Sequence, residues 1–380
     1  MSKHIIFCAD GTRNSPDCDD NKDGVPDPSN VYRLFRNLQG VNTLDGNEEQ
    51  ERELKVGEEL KQIVKYLHGI GANASKISQK VEGDVGLGII GRIVRGYTFI
   101  SRNYEAGDEI SIVGFSRGAY TARALAGLIV NKGLLPKDQT EDKDKAYDRG
   151  IKVWYRYWAE TSHAAISARL YEYLRHPIIF VTSSFSNDKD LVPVEHINAV
   201  GVWDTVGALG IPNEIFGGNR ADHFKFADTR LNTKVQAGFH AVALDEQRQD
   251  FDPTLWDEGK DVGNVTQELF PGAHSDVGGG YAMEKGEAGL LSDITLEWMM
   301  AKLAGRGLSF APPANMEFIP KPCVNASAHK PWKGKKYAGP RVFPSGTKEN
   351  PAIAARISCG LVKADPSETG ANYAPKNRPA

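Results

Sequence analysis

The chain has 380 residues, of which 40% are hydrophobic, and it carries a formal net charge of −3 at pH 7. This length allows one large domain or two modest ones, and the apolar fraction is enough for a sizeable core. The 46 basic residues are balanced by 49 acidic residues. No dominant basic field is therefore present to neutralise phosphates, which argues against a general nucleic-acid-binding protein.

The cysteines and the N-terminus exclude several other classes. Cys8, Cys18, Cys323 and Cys359 form no CxxC or zinc-type spacing, so a metal or redox role is not indicated. The apolar run at residues 5–9 is too short for a signal peptide. No stretch approaches the ~20 apolar residues of a membrane-spanning helix. We therefore expect a chain that is cytoplasmic in the producing cell, with any later export by a route without a Sec signal.

Strand-like apolar runs alternate with runs of helical spacing along the chain. The predicted strands are residues 5–9, 62–67, 109–114, 196–203 and 265–270. The predicted helices are residues 30–38, 87–104, 117–131, 146–158, 166–174, 233–244 and 292–304. Strands that alternate with helices predict an α/β fold with a mostly parallel central sheet and helices on both faces.

The remaining segments define the expected domain organisation. Residues 48–59 are highly charged, which favours a solvated loop or a short helix. The composition changes near residue 312, where Pro, Lys and Gly become frequent. We expect a catalytic domain at residues 1–311, with a helical cap at about 137–180, and an irregular extension at 312–380 packed on the core.

The Gly-x-Ser-x-Gly sequence at residues 114–118 is the most informative motif. It lies between a predicted strand and a predicted helix, which is the context of a nucleophile elbow. Gly114 and Gly118 supply the small size that such a turn needs. Ser116 is therefore the candidate nucleophile of a serine hydrolase.

A serine nucleophile needs a base and a carboxylate that orients the base. Asp204 follows the apolar run 199–203 and is the preferred acid, and Asp245 and Asp276 are its rivals. A turn or helix-capping role for Asp204 stays open. His274 follows a predicted strand and precedes a glycine run, so it is the preferred base. His240, on an apolar face, and His196 are its rivals.

The oxyanion hole needs two N–H donors. The first candidate is the backbone N–H of Arg117, which follows the nucleophile. The second candidate is the N–H of Gly11 or Thr12, in the loop after the first strand. Asp10 is a candidate for fixing that loop, and the Arg117 side chain is a candidate for pairing with Asp10, for binding a substrate phosphate or for a surface salt bridge.

Residues 17–27 have the oxygen spacing of a calcium loop. From Asp19 the sequence reads D-x-N-x-D-G-x-x-D, and the glycine at the sixth place permits the sharp turn. The twelfth position is Asn30 rather than Glu, and no EF-hand helices flank the loop. The alternatives are a solvated acidic turn and a calcium site whose ligands are Asp19, Asn21, Asp23 and Asp27. The serine chemistry itself requires no cofactor.

Seven blocks in order carry a family resemblance over roughly residues 4–305. They are residues 10–12 (DGT), 30–34 (NVYRL), 114–119 (GFSRGA), 203–210 (WDTVGALG), 240–246 (HAVALDE), 270–281 (FPGAHSDVGGGY) and 291–294 (LSDI). On these blocks the chain resembles the uncharacterised α/β-hydrolase domain family that includes the first family of type VI secretion lipase effectors.

The resemblance implies a Ser-Asp-His triad at Ser116, Asp204 and His274. It also implies phospholipase A-type hydrolysis of membrane glycerophospholipids, with delivery into the periplasm of a target bacterium. The implied partners are a secretion spike protein and an immunity protein, and peripheral membrane contact is implied through the substrate. The C-terminal membrane-contacting module of longer members is expected to be absent or much reduced.

Three functions stay open at this stage. The first is a lipid esterase with a lid over an apolar acyl site. Aromatic residues near the predicted cap could form the lid or pack in the core; they are Trp154, Tyr155, Tyr157, Trp158, Tyr171 and Tyr173. The second is an esterase of soluble substrates. The third is a non-catalytic binding protein on a hydrolase scaffold.

Overall fold

The computed structural model of the protein describes residues 2–46, 48–71, 85–161, 190–207, 230–257, 264–333 and 339–379. A central sheet of nine strands in the order β2-β3-β4-β1-β5-β6-β7-β8-β9 organises these residues. From β4 through β9 every neighbouring pair is parallel. In chain order the strands of this sheet are β1 (His4–Ala9), β2 (Val41–Asp45), β3 (Glu49–Val56), β4 (Glu59–Leu67), β5 (Glu109–Phe115), β6 (Ala199–Trp203), β7 (Gly238–Ala243), β8 (Val265–Phe270) and β9 (Lys348–Glu349).

Helices cover both faces of this sheet. They are α1 (Asn30–Asn37), α2 (Val85–Asn103), α3 (Arg117–Lys132), α4 (Lys143–Thr161), α5 (His274–Gly278), α6 (Leu291–Ala304) and α7 (Pro351–Ser358). Successive residues of β1 point to opposite sides. Ile5 and Phe7 join a core with α2, α3 and α4, while Ile6 and Cys8 join a second core with α1 and α6. The expected α/β class, mostly parallel with helices on both faces, is confirmed.

One predicted helix, at residues 233–244, is wrong. Its second half is β7, between β6 and β8, and all six residues of this strand are buried. A parallel strand that is covered on both faces has an almost continuous apolar sequence. Such a run lacks the alternation that separates a strand from a buried helix.

The loop or short helix expected at residues 48–59 is also wrong. This segment forms β3 and starts β4, and β2, β3 and β4 pair antiparallel. Its charged residues are half-buried or exposed on a ribbon at the edge of the sheet. The buried Lys65 of β4 lies 2.8 Å from Glu49 and 2.9 Å from Glu51 there. Cross-strand pairs of opposite charge therefore accompany the strand ladder here.

The segment after residue 311 is more regular than expected. It contains β9, which joins β8, then α7, and then a two-stranded ribbon of β10 (Leu361–Val362) and β11 (Ala371–Asn372). The Arg356 side chain is fully buried and donates to the carbonyl oxygens of Val324, Ala326 and Lys363. This buried cation ties the segment together from within.

The expected cap lies only partly in the described residues. Helix α4 packs against α2, and Trp154, Tyr155, Tyr157 and Trp158 are buried in the core there. The predicted helix 166–174, with Tyr171 and Tyr173, lies outside the described residues. No helix of the described ranges has both the length and the apolar character needed to cross a membrane.

Candidate active site

Four parallel strands end at the same edge of the sheet and position the candidate residues. Phe115 of β5 lies beside Trp203 of β6, and Ala243 of β7 lies beside Phe270 of β8. Ser116 and Asp204 directly follow β5 and β6. In open α/β sheets this carboxyl edge is where ligands and catalytic groups gather.

Ser116 occupies a strained turn between β5 and α3. Its backbone has φ 58° and ψ −122°, a conformation that non-glycine residues rarely adopt. The Ser116 N–H donates to the Trp203 carbonyl at 3.0 Å. A Cβ on Gly118 would lie 2.1 Å from the Ala9 oxygen, and one on Gly114 would lie 2.3 Å from the Gly118 oxygen. Only glycine allows the strands and the helix to approach this closely, so the turn is a nucleophile elbow in its geometry.

Asp204 and His274 are in direct contact. His274 Nδ1 lies 2.5 Å from Asp204 Oδ2, and both residues are buried. Asp204 also has a positive φ, 37°, and its N–H donates to the Ala241 carbonyl at 2.7 Å. His274 is the first residue of α5. The structure therefore brings together the preferred acid and the preferred base, from the ends of β6 and β8.

Two aromatic rings enclose the imidazole of His274. The Phe115 ring centroid lies 4.6 Å away and the Phe251 centroid lies 4.8 Å away. A Cβ on Gly278 would lie 2.0 Å from the Phe115 ring, so the glycine run after His274 lets α5 approach the residue that precedes the nucleophile. The imidazole is thus held beside the elbow by packing as well as by Asp204.

Among the described residues, Ser116 Oγ has no hydrogen-bond partner, and none joins it to His274. Catalytic hydrogen bonds are often long or misaligned without substrate and tighten when it binds. The placement of Ser116 as the third member of the group therefore rests on the strand register and on the Phe115–His274 contact.

Sequence reasoning missed Arg341. Its Nη1 donates to Asp204 Oδ1 at 2.7 Å, and its Nη2 donates to Asp204 Oδ2 at 3.0 Å. This arginine lies 137 positions after Asp204, in the segment expected to be irregular. No motif marks it, and only the packing of that segment on the core brings it to the site.

The electrostatics of the pair favour an ionised acid and a neutral base. Burial acts to raise the pKa of Asp204, but the charge of Arg341 and the hydrogen bond from His274 outweigh burial and hold the pKa below its ordinary value. Burial lowers the pKa of His274 from its ordinary 6.5, against the opposing effect of Asp204. A neutral imidazole with Nδ1–H bound to Asp204 leaves Nε2 as a proton acceptor.

The loop after β1 lies against the elbow. A Cβ on Gly11 would lie 3.2 Å from Ser116 Cβ. Asp10 fixes the loop because its buried carboxylate accepts from the Gly11 N–H at 2.7 Å, Ser29 Oγ at 2.6 Å and Tyr66 OH at 2.6 Å. Burial nevertheless raises the pKa of Asp10 to about 6.

The predicted oxyanion donors differ in availability. The Gly11 N–H is engaged by Asp10, whereas within the described ranges neither the Thr12 N–H nor the Arg117 N–H donates to a protein acceptor. Arg117 is the first residue of α3, where N–H groups lack helical partners. The oxyanion hole stays a prediction, and Arg117 with Thr12 is the better pair.

The rival acids have other partners. Asp245 accepts from the Gly272 N–H at 2.7 Å and from Tyr373 OH at 2.8 Å. Asp276 lies 2.6 Å from His329 Nδ1. Both carboxylates thus hold the chain around α5 and the C-terminal segment, and neither contacts the His274 ring.

The rival histidines also contact groups other than Asp204. His240 lies on β7, where its ring contacts Gln267 Oε1 at 2.8 Å and accepts from the Thr205 N–H at 3.1 Å. Burial lowers the pKa of His240 to about 3, so it is a neutral core histidine. His196 lies 3.2 Å from Glu109, at the opposite end of β5.

The predicted calcium loop turns its side chains toward its own backbone. Asp19 accepts from the N–H groups of Asp23 and Gly24, at 3.2 and 2.9 Å. Asp27 accepts from the Asp20 N–H at 3.1 Å. Within the described residues, which include all of 17–27, no group of three or more His, Cys, Asp or Glu side chains is arranged to hold a metal. Calcium binding by Asp19, Asn21, Asp23 and Asp27 stays a prediction.

Residues 3–302 match a family model described as "T6SS, Phospholipase effector Tle1-like, catalytic domain". The chain belongs to this Tle1-like family. The match covers most of the chain and includes Ser116, Asp204 and His274, but it ends before Arg341. The family resemblance predicted from the sequence blocks is confirmed.

One curated relative of the Tle1-like chain has a low sequence identity. The uncharacterised protein YEL023C of Saccharomyces cerevisiae is 26% identical over 263 residues, which is 66% of this chain and 32% of the yeast protein. This chain therefore spans about a third of the length of the curated relative it matches. An uncharacterised protein from Pseudomonas aeruginosa has a similar structure, with 18% identity, a TM-score of 0.44, and coverage of 84% of this chain and 48% of that chain.

A second solved structure is also similar. It is described as the Tle1 effector bound to the VgrG spike from the type 6 secretion system. The identity is 18% and the TM-score 0.38, with coverage of 74% of this chain and 52% of that chain.

Proposed function

We propose that the chain is a serine hydrolase that cleaves carboxylic esters, and that it acts as the phospholipase A-type catalytic domain of a type VI secretion effector. The observation that carries the chemistry is the buried 2.5 Å contact between Asp204 and His274 beside the strained turn of Ser116. The family description carries the lipid substrate and the secretion route. The serine chemistry requires no cofactor.

The mechanism follows from the position of each group. Ser116 Oγ attacks the ester carbonyl, and His274 Nε2 takes the proton as the C–O bond forms. His274 then gives that proton to the leaving alcohol, and an acyl-enzyme remains on Ser116. Water, deprotonated by His274, releases the fatty acid. Asp204 orients the ring and stabilises the imidazolium in both halves of the cycle.

The charge on the carbonyl oxygen is stabilised by backbone N–H groups. Arg117 at the start of α3 and Thr12 in the loop after β1 supply the donors, and the helix dipole adds to them. Each such donor contributes about 10²–10³ in kcat in comparable sites. Because Asp10 fixes this loop, the second donor is pre-organised before substrate arrives.

The family description also supports a biological setting for this activity. We infer delivery by a secretion spike protein, action on phospholipids in the target periplasm and neutralisation by an immunity protein. The family's description as a type VI secretion phospholipase effector supports the secretion route and the phospholipid substrate.

Hydrolysis of vesicles tests the activity. We expect release of fatty acid from phosphatidylethanolamine–phosphatidylglycerol vesicles, and loss of that release in Ser116→Ala. Ser358→Ala is the matched control, because this exposed hydroxyl bonds only the Ala354 carbonyl in its own helix. Equal rates in Ser116→Ala and the wild type would overturn the proposal. Cleavage of short soluble esters alone would keep the serine chemistry and reject the phospholipid substrate.

A further inference from the structure

Arg341 enters the site from outside the residues that the family model covers. It lies 39 positions beyond residue 302, the end of that match, in the stretch that leads to β9. The side chain of Arg341 is 3% exposed and that of Asp204 is fully buried. The ion pair is therefore a desolvated one, whose partners are costly to separate.

The guanidinium joins three separate parts of the carboxyl edge. Its two terminal nitrogens contact the two oxygens of Asp204 in a bidentate arrangement, a geometry in which arginine matches a carboxylate. Nη1 also donates to the Ala243 carbonyl at 2.8 Å, and Nη2 donates to the Phe251 carbonyl. Arg341 thus connects the end of β6, the end of β7 and the loop whose Phe251 ring packs on His274.

Every acceptor position of Asp204 is filled in this arrangement. Oδ1 accepts from Arg341 Nη1 and, at 2.9 Å, from the Ala243 N–H. Oδ2 accepts from Arg341 Nη2 and interacts with His274 Nδ1. A carboxylate has about four lone-pair sites, so the carboxylate plane is fixed, and with it the oxygen that faces the imidazole.

The charge balance of the buried group also depends on Arg341. Asp204 and Arg341 together are neutral in the resting state. Other charged or titratable groups of the described residues also lie near His274. Glu246 accepts from the His274 N–H at 3.2 Å, and Arg248 pairs with Glu246 at 2.8 Å. Asp276 lies on α5 and His240 on β7. Loss of the Arg341 cation would leave Asp204 as an uncompensated charge facing the imidazole.

We propose that Arg341 is a positioning residue of the hydrolase site, which holds the Asp204 carboxylate in the orientation that binds His274 Nδ1, so that the C-terminal segment completes the site. This inference rests on the serine-hydrolase function proposed above. It predicts two separable effects of Arg341: the fork orients Asp204, and the positive charge favours the neutral form of His274.

Two substitutions separate these effects. Arg341→Lys keeps a cation but loses the bidentate fork, so kcat falls by up to about 100-fold from misorientation, while the acidic limb of the pH profile stays near its wild-type position. Arg341→Met loses both the positive charge and the bidentate fork. Its kcat falls at least as far, and the acidic limb moves to higher pH by about one unit, because a nearby cation no longer opposes protonation of His274.

Arg356→Met is the matched control. Arg356 is a fully buried arginine of the same segment that donates to backbone carbonyls. Its loss lowers Tm, but at temperatures well below Tm we expect kcat and the acidic limb to match the wild type.

For the full chain and the three variants, the experiment measures kcat, Tm, and the dependence of kcat/KM on pH. In the Ser116→Ala background it also follows the His274 ring nitrogens by 15N NMR. His274→Gln assigns the signal. An unshifted acidic limb and unshifted His274 titration in Arg341→Met would overturn the proposal, as would an equal shift in Arg356→Met. If the wild type cleaves no ester, the proposed function fails. The NMR titration then still decides whether Arg341 sets the state of His274.

Discussion

His274 Nδ1 lies 2.5 Å from Asp204 Oδ2, although the two residues are 70 positions apart in the chain. The contact arises because β6 and β8 are parallel members of one sheet and end at the same edge. Both groups are buried, aromatic rings pack on His274, and Arg341 pairs with Asp204. Their environment pushes them toward the charge states that a general-base mechanism requires.

The pH dependence of turnover should follow His274. Burial lowers its pKa below the ordinary 6.5, and only the neutral ring accepts the Ser116 proton. We therefore expect kcat/KM to reach a plateau at higher pH and to fall as the pH decreases through a midpoint below 6.5. The measurement is kcat/KM against pH with a soluble ester, which reports the free enzyme. A midpoint above 6.5 would contradict the burial argument.

Replacing the acid should damage both activity and stability. Asp204→Asn removes the acceptor that selects the Nδ1–H tautomer, and we expect kcat to fall by about 10⁴. It also leaves the buried Arg341 cation unpaired, at a cost of about 3–5 kcal/mol in the free energy of unfolding. Asp245→Asn is the control, since Asp245 binds Gly272 and Tyr373 instead. Comparable kcat losses in both variants would reassign the acid.

The Asp276–His329 pair should make stability depend on pH. Although burial acts to lower the pKa of His329, Asp276 outweighs burial and the net pKa is raised above 6.5. The folded state then binds more protons than the unfolded state. The contribution is fully present below pH 6.5 and is lost as the pH rises through the raised pKa.

Urea unfolding at a series of pH values checks this. We expect His329→Gln to flatten the fall in unfolding free energy above pH 6.5. An unaltered slope in His329→Gln would refute the assignment.

Calcium binding by residues 17–27 is tested by calorimetric titration and by Tm. We expect calcium to release or take up heat and to raise Tm, and Asp19→Asn with Asp23→Asn to abolish both effects. Asp142→Asn, an exposed acid on another loop, is the control. If calcium produces neither heat nor a change in Tm with the wild type, residues 17–27 do not bind calcium.

The position of the site was predictable because each candidate follows a recognisable strand. Residues 109–114 and 265–270 read as strands from their sequence, and parallel strands must end at one edge. Ser116 and His274 could therefore be placed near each other without coordinates. The glycines around Ser116 added the local geometry, which the structure shows as a positive φ.

The missed features depend on long-range packing. The β7 sequence is apolar apart from His240 because both faces of the strand are covered, so periodicity could not separate it from a helix. Arg341 carries no local signal, since its role arises only when residues far apart in the chain fold against Asp204. The sequence predicted that the Gly11 N–H could donate to an oxyanion. In the structure this N–H donates a hydrogen bond to the Asp10 carboxylate instead.

Covalent labelling tests most directly whether Ser116 is the nucleophile. A fluorophosphonate reacts with an activated serine, and intact mass with peptide mapping locates the adduct. We expect a single adduct on Ser116 in the wild type, slow labelling in His274→Gln and none in Ser116→Ala. An adduct on another residue, or full esterase activity with Ser116 unlabelled, would contradict the assignment of Ser116 as the nucleophile.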